Sequence, residues 1–421
     1  LGGLAEHDIW ACSTYVAALA ATLQENLKSA MTSVDRWLLP DGVEELLPAQ
    51  AAQVEDLRRR LLDLYHSWGY ELVIPPMLEY TESLLVGLGS DIDLLTFRVT
   101  DQLTGRMMGL RADITPQAAR IDAHSLNREG PVRLCYAGSV LHTKPKKPLV
   151  SRSPIQLGAE LYGDNSPASD LEIVCLMLET LHVAGLDGIT LDSGHVGVYR
   201  AVVEAAGLDD VQEQRYFDIL QRKAVTELND FVAGLNTDNT AAKYLLALNS
   251  LHGGADVLSR GRELFADIPA AVAAIDSLTQ LSRALMARFP NLQFYFDLAE
   301  LRGYHYHTGL VFSALVREHG QALASGGRYD DIGQVFGRAR PATGFSIDLK
   351  ALLGLLAPAT PAPAIYAAFN ESPEHWQFVQ QLREQGEQVI AGLPGEAVAG
   401  NCDRQVVYKD DKWAVVPLSS N

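Results

Sequence analysis

Apolar side chains recur at three- and four-residue steps from Val54 through Leu57, Leu61, Leu64 and Tyr65 to Trp68, a spacing that predicts an amphipathic helix. Gly69 stops it. Tyr70-Glu-Leu-Val-Ile74 then reads as a strand, ended by Pro75-Pro76. Ahead of the helix, Pro40-Asp-Gly42 is a turn signal. Strand-like runs follow at Leu95 to Val99, Arg106 to Arg111, Val132 to Leu141 and Pro154 to Leu161. Short turns and few helices separate them, which favours an antiparallel sheet over a parallel one. Ser166-Pro167 opens a helix carrying Leu171, Val174, Leu178 and Leu181, with Gly185 near its end.

From Val196 to Phe289 the periodicity is helical almost throughout. Strands return at Gln293 to Leu298 and at His305 to Leu315, and a helix is expected to begin near Phe345. Ala-Pro-Ala-Thr-Pro-Ala-Pro363 has the composition of a linker. Beyond it a strand (Ala364 to Ala368), a helix (Glu374 to Gln385) and strands near Val389 and Gln405 to Tyr408 are expected.

The 421 residues suffice for two or three domains. A hydrophobic content of 48% and a near-zero mean hydropathy fit a soluble globular chain. No run approaches the roughly 18 apolar residues of a membrane span. The net charge of −18, from 34 basic and 52 acidic residues, opposes non-specific binding to a nucleic-acid backbone. The basic clusters Arg58-Arg-Arg60 and Lys144-Pro-Lys-Lys147 are read as solvated surface. Cys12, Cys135, Cys175 and Cys402 are far apart and form no CxxC pair, which argues against a zinc ribbon or a disulfide framework and for a reducing cytoplasm. The chain opens on Leu1, and the stretch Ala11 to Leu23 follows Glu6 and Asp8 with no basic flank, a poor signal peptide.

Alternation along a strand puts Arg111 and Asp113 on one face, and likewise Gln156, Gly158 and Glu160. Taken alone, a polar sheet face with scattered charges is the plainer reading. The chain has no phosphate-cradling Gly-rich loop opening a helix, no Gly-x-Ser-x-Gly elbow and no zinc-protease helix. Asp330-Asp331 lacks a phosphoribosyltransferase's Thr-rich loop and reads as a turn. His305-x-His307 has a metal pair's spacing but no acid or Cys cluster to complete it.

Arg302-Gly-Tyr-His-Tyr-His-Thr-Gly309, Ser325-Gly-Gly-Arg-Tyr-Asp-Asp-Ile332 and Gly344-Phe-Ser-Ile-Asp-Leu-Lys-Ala-Leu352 resemble the histidine-recognition motifs and final catalytic motif of histidyl-tRNA synthetases. Arg111-Ala-Asp-Ile-Thr115 and Gln156-Leu-Gly-Ala-Glu160 resemble two further segments of that family. The resemblance implies a histidine pocket made by Asp113, Gln156 and Glu160 toward the α-ammonium, Arg302 toward the carboxylate, and Tyr306, His307 and Tyr329 nearer the ring. It also implies a lost ATP site. His142 and Lys144 stand where the family's second motif has Arg and Glu, and Lys350 and Ala351 stand where its third has Glu-Arg. The helix and strand before Pro75 resemble the family's first motif, a dimer interface.

A synthetase-like core with a histidine pocket, altered ATP motifs and a short tail is similar to the regulatory subunits of ATP phosphoribosyltransferase. That resemblance runs from about Arg36 to the end. It implies an α+β, class II aminoacyl-tRNA-synthetase-like fold: an antiparallel sheet flanked by helices. The expected organisation is an N-terminal extension (1–30), core (31–195), helical insert (196–289), core (290–356), linker (357–363) and a short α/β tail (364–421). It further implies no catalysis by the chain itself, a short catalytic subunit as partner, free L-histidine as effector, and self-association through the first motif. No cofactor, metal, membrane or nucleic acid is expected. The alternatives are an active histidyl-tRNA synthetase and a stand-alone histidine- or tRNA-binding paralogue.

Overall fold

The structure, a computed structural model, describes residues 37–418 apart from 86–89, 146–149, 236, 305, 318, 359–362, 397 and 399–400. The expected extension 1–30, Cys12, Lys146, Lys147, His305 and most of the linker lie outside the described residues. The chain divides into two units, one of 56–355 with the segment before 46, the other of 46–55 with 356–421.

The larger unit is built on a nine-stranded sheet in the order β1-β5-β6-β12-β11-β10-β7-β9-β8. Its strands are β1 (Glu71–Leu72), β5 (Val132–Ser139), β6 (Ile155–Tyr162), β7 (Ile189–His195), β8 (His252–Gly253), β9 (Gln293–Asp297), β10 (Leu310–Val316), β11 (His319–Arg328) and β12 (Ala342–Asp348). The pairs β1–β5 and β7–β9 are parallel and the rest antiparallel, so the sheet is mixed. A separate three-stranded sheet joins β2 (Leu78–Tyr80), β4 (Met107–Leu110) and β3 (Phe97–Thr100).

The amphipathic helix is α1 (Pro48–Ser67), with Leu57, Leu61 and Tyr65 buried at four-residue steps. Tyr65 meets Phe345 of β12 edge-on, ring centroids 6.1 Å apart. A short helix, α2 (Thr115–Arg120), follows the loop after β4. Helix α3 (Pro167–Val183) packs across β6, β11 and β12 with Ile173, Val174, Leu176 and Met177 buried. Between β7 and β9 the chain is mostly helical, broken by β8, from α4 (Val196–Ala206), α5 (Asp210–Gln221) and α6 (Val225–Ala233) through to Arg288. Asp209 starts α5 with a capping box: its side chain accepts from the Gln212 amide, and the Gln212 side chain returns to the Asp209 amide.

Three expectations fail in this unit. The helix expected near Phe345 is the last strand, β12, and helix begins only at Leu349, where Asp348 caps it by accepting from the Lys350 amide. Burial between β6 and β11 overrides the helical look of the run. The strand expected from His305 begins at Leu310, because 302–304 turn about Gly303, whose φ is +65°. Arg111 and Asp113 do not share a strand face. β4 ends at Leu110, and Arg111 turns inward to the carbonyls of Pro75 and Ser139. Smaller departures are β1, shorter than the run Tyr70 to Ile74, and β11, which was not anticipated.

The smaller unit carries a four-stranded sheet, β14-β13-β15-β16, from β13 (Ala364–Ala367), β14 (Val389–Ala391), β15 (Cys402–Lys409) and β16 (Lys412–Pro417). Val379 and Leu382 of a helix over Pro373–Glu384 pack on Ile365, Ala367, Val389 and Val406. Asp410 and Asp411, at φ +54° and +58°, make the tight β15–β16 turn. Among the described residues, no helix is long and apolar enough to cross a membrane.

Candidate ligand pocket

The pocket lies on one face of the large sheet, over β6, β12 and β11. Cross-strand register places Gly158, Ser346 and Ser325 in one row and Glu160, Gly344 and Gly327 in the next. Small residues leave a hollow that larger ones would fill. A Cβ on Gly344 would overlap the Glu160 carboxylate and the Tyr329 hydroxyl, and one on Gly158 would overlap the Tyr136 hydroxyl. Asp113, Glu160, Tyr306, His307 and Tyr329 line the hollow, with Thr115, Ser325 and Phe345.

Glu160 is the deepest of these polar groups, 1% exposed. The hydroxyls of Tyr136 (2.9 Å) and Tyr329 donate to its two oxygens, and it forms no ion pair with a cation among the described residues. Burial pushes its carboxyl well above the usual range, and the neighbouring Asp113 charge adds to the rise. Asp113 lies nearer the surface. Its Oδ1 accepts from the Gln156 amide at 2.8 Å and from the Thr115 backbone at 2.9 Å. The Gln156 carbonyl accepts from the Ile114 amide at 2.8 Å, so its NH2 must face the carboxylate. Gln156 thus orients Asp113 without lining the hollow itself.

His307 is buried, and burial lowers its ring to about 4. Its Nδ1 lies 3.0 Å from the Arg302 carbonyl, which can only accept. Nδ1 therefore carries the hydrogen, leaving Nε2 as an acceptor. Tyr306 is 44% exposed, with its ring centroid 4.2 Å from that of His307. His307 is not on a strand, and His305 is outside the described residues.

Arg302 is not part of the lining. Its guanidinium is held by Asp192 at 2.6 Å and by Glu300 at 2.8 Å, and donates to Ser313 at 2.9 Å. Ser313 in turn lies 3.1 Å from the Ser325 hydroxyl, which does face the hollow. Arg302 therefore reaches the pocket through two serines. Tyr136 and Thr115, whose hydroxyls meet at 2.9 Å, were missed as site residues. The signal available was register: Tyr136 pairs with Gly158, midway along the Gln156–Glu160 face.

Beyond the Asp113 end lie the positions compared above with an ATP site. The His142 ring Nε2 is 2.9 Å from the Ala112 carbonyl, and the residue is 2% exposed. Lys350 pairs with Glu44 at 3.0 Å and donates to Ser153 at 3.1 Å. Lys144 is exposed, and Ala351 sits in the short helix after β12. Arg152, in the same region, donates from Nε to the His142 carbonyl and from Nη1 to that of Asp41.

A family model described as histidyl-tRNA synthetase matches residues 42–352, and one described as the ATP phosphoribosyltransferase subunit HisZ C-terminal domain matches 362–416. An ATP phosphoribosyltransferase regulatory subunit of Azotobacter vinelandii is 56% identical over 396 residues, covering 92% of this chain and 100% of that protein. One of the same name from Cellvibrio japonicus is 54% identical over 93% of this chain and 100% of its own length. The chain belongs to the ATP phosphoribosyltransferase regulatory subunit family.

Solved structures agree. A Bacillus halodurans protein titled ATP phosphoribosyltransferase regulatory subunit/histidyl-tRNA synthetase has a TM-score of 0.77 at 28% identity, covering 86% of this chain and 94% of that one. A histidyl-tRNA synthetase from Nostoc, at 19% identity, has a TM-score of 0.73 over 90% of this chain and 97% of its own. The latter likeness bears on the fold alone. This regulatory-subunit family therefore has the α+β, class II synthetase-like architecture.

Proposed function

We propose that the chain is the non-catalytic regulatory subunit of ATP phosphoribosyltransferase, required for the first step of histidine biosynthesis, and that its pocket binds free L-histidine as the feedback signal. The family supports the first part. One observation carries the second: Glu160 is a fully buried acid facing a hollow, held by tyrosine hydroxyls, with no cation of the described chain beside it. A buried carboxyl in that state is costly to ionise without a counter-charge. A ligand nitrogen bearing hydrogen supplies the missing partner. Asp113, fixed by Gln156 near the mouth, takes an ammonium group. Glu160, Tyr329 and the His307 Nε2 lone pair offer hydrogen-bond partners to an imidazole.

The nucleotide-side positions support a role without catalysis. Arg152 donates from Nε and Nη1 to backbone carbonyls, Lys350 is held by Glu44 and Ser153, the Nε2 of His142 is turned to a carbonyl, and the Ala351 side chain has no donor. Neutralising phosphates needs donors held ready for them. For self-association, β1 lies at the open edge of the sheet, with Leu72 46% and Ile74 81% exposed beside it. A second copy docking there suits these residues. The cytoplasm is the expected setting, with a short catalytic chain as partner.

Feedback then follows from linkage. Histidine shifts the assembly only as far as it binds one arrangement better than another, typically a coupling of about 1–3 kcal/mol. The test is to mix the chain with a short catalytic subunit and to assay phosphoribosyl transfer with and without histidine. The expected result is transfer that depends on this chain and falls when histidine is added. Transfer indifferent to the chain would overturn the proposal.

A further inference from the structure

The loop that presents Tyr306 and His307 joins β9 to β10 with no helix or strand among its described residues, and two neighbouring helices hold it. Tyr304 places its ring edge-on to Tyr199 of α4, centroids 5.0 Å apart, and 5.4 Å from the ring of Phe217 of α5. Its hydroxyl donates to Glu213 of α5 at 2.7 Å. Arg200 of α4 donates to the His307 carbonyl at 2.8 Å and the Tyr304 carbonyl at 3.4 Å, with its guanidinium carbon 5.1 Å from the Tyr304 ring centroid. Both flanks of the Tyr306 turn are thereby tied to α4 and α5. The contacts continue inward: Tyr199 stacks on Tyr216 at 5.7 Å, and Tyr216 on Phe231 of α6 at 6.0 Å.

We infer that Arg200, Tyr304 and Glu213 form a latch by which the helical segment positions the pocket loop, coupling ligand occupancy to the packing of α4–α6. This rests on the reading of the pocket as a histidine site. None of the three lines the hollow, so each is a positioning residue. Tyr306 is nearly half exposed and His307 has one ring hydrogen bond to its own loop. Their places relative to Glu160 therefore depend on what anchors the loop backbone. Loosening the latch makes ligand binding bear the entropy of ordering that loop.

The experiment is histidine calorimetry on the complex with the catalytic chain, for Glu213→Ala, Glu213→Gln, Tyr304→Phe and the Glu213→Ala/Tyr304→Phe double variant, with Glu160→Ala as reference. Glu213→Ala and Tyr304→Phe should each weaken binding about three- to tenfold, the double variant no more than either alone, and Glu213→Gln, which keeps the acceptor, less than about twofold. Amide exchange at residues 303–308 should quicken in the two weak variants. If Glu160→Ala loses histidine while Glu213→Ala binds as wild type, or if Glu213→Gln is as weak as Glu213→Ala, the latch is overturned and the pocket stands. If Glu160→Ala binds as wild type, pocket and latch fall together.

Discussion

Tyr136 donates its hydroxyl hydrogen to Glu160 at 2.9 Å, from the strand next to the one that carries the acid. With Tyr329 on the other oxygen, this fixes the carboxyl at the pocket floor with neither tyrosine able to balance its charge. Four consequences follow.

The first is pH-dependent. Because burial raises the Glu160 carboxyl in the folded chain, the fold binds more protons there than the unfolded chain does. The stability from the protonated form is fully present below the ordinary value, about 4.3, and is lost as pH rises through the folded value. Glu160→Gln removes that loss. Without histidine the variant should unfold at a higher temperature than wild type at neutral pH and match it near pH 4. Thermal unfolding followed across that range checks this.

Gly344→Ala puts a methyl group into the Glu160–Tyr329 contact. Overpacking of this kind costs about 1–3 kcal/mol. The larger expected effect is loss of histidine binding, since the added atom occupies the hollow. Calorimetry beside a melting curve separates the two.

Arg302 and Asp113 should behave differently. Arg302→Ala strands the largely buried acids Asp192 and Glu300 and should lower stability by about 1–3 kcal/mol, with a modest effect on histidine affinity. Asp113→Asn, at the lining itself, should weaken histidine at least about tenfold with little change in melting.

Histidine-dependent exchange of pyrophosphate with ATP should be absent. Removing one phosphate-stabilising contact typically costs ~10²–10³ in rate, and by the proposed correspondence with a synthetase His142 and Ala351 stand at two such positions. Exchange at a synthetase's rate would restore the alternative of an active enzyme.

Much of this site was legible along single strands. The period-2 face of Gln156, Gly158 and Glu160 is real, and Ser166-Pro167 does open α3. What escaped was written in tertiary contacts. β11 is rich in Ala, Ser and Gly, residues of weak strand preference, because its face must stay low beneath the pocket. β12 runs straight into a helix, so its sequence blends two periods. Arg302 was expected to face the ligand, but Asp192, 110 positions away, draws it aside. The links from Tyr304 to Tyr199 and Glu213 leave no local pattern at all.

The most direct measurement is calorimetry of free histidine with the complex of this chain and the catalytic subunit, wild type against Glu160→Ala. The account predicts saturable binding to wild type and a loss of at least about a hundredfold in the variant, as expected when a buried charge-assisted contact is removed. Unchanged affinity in Glu160→Ala would contradict it.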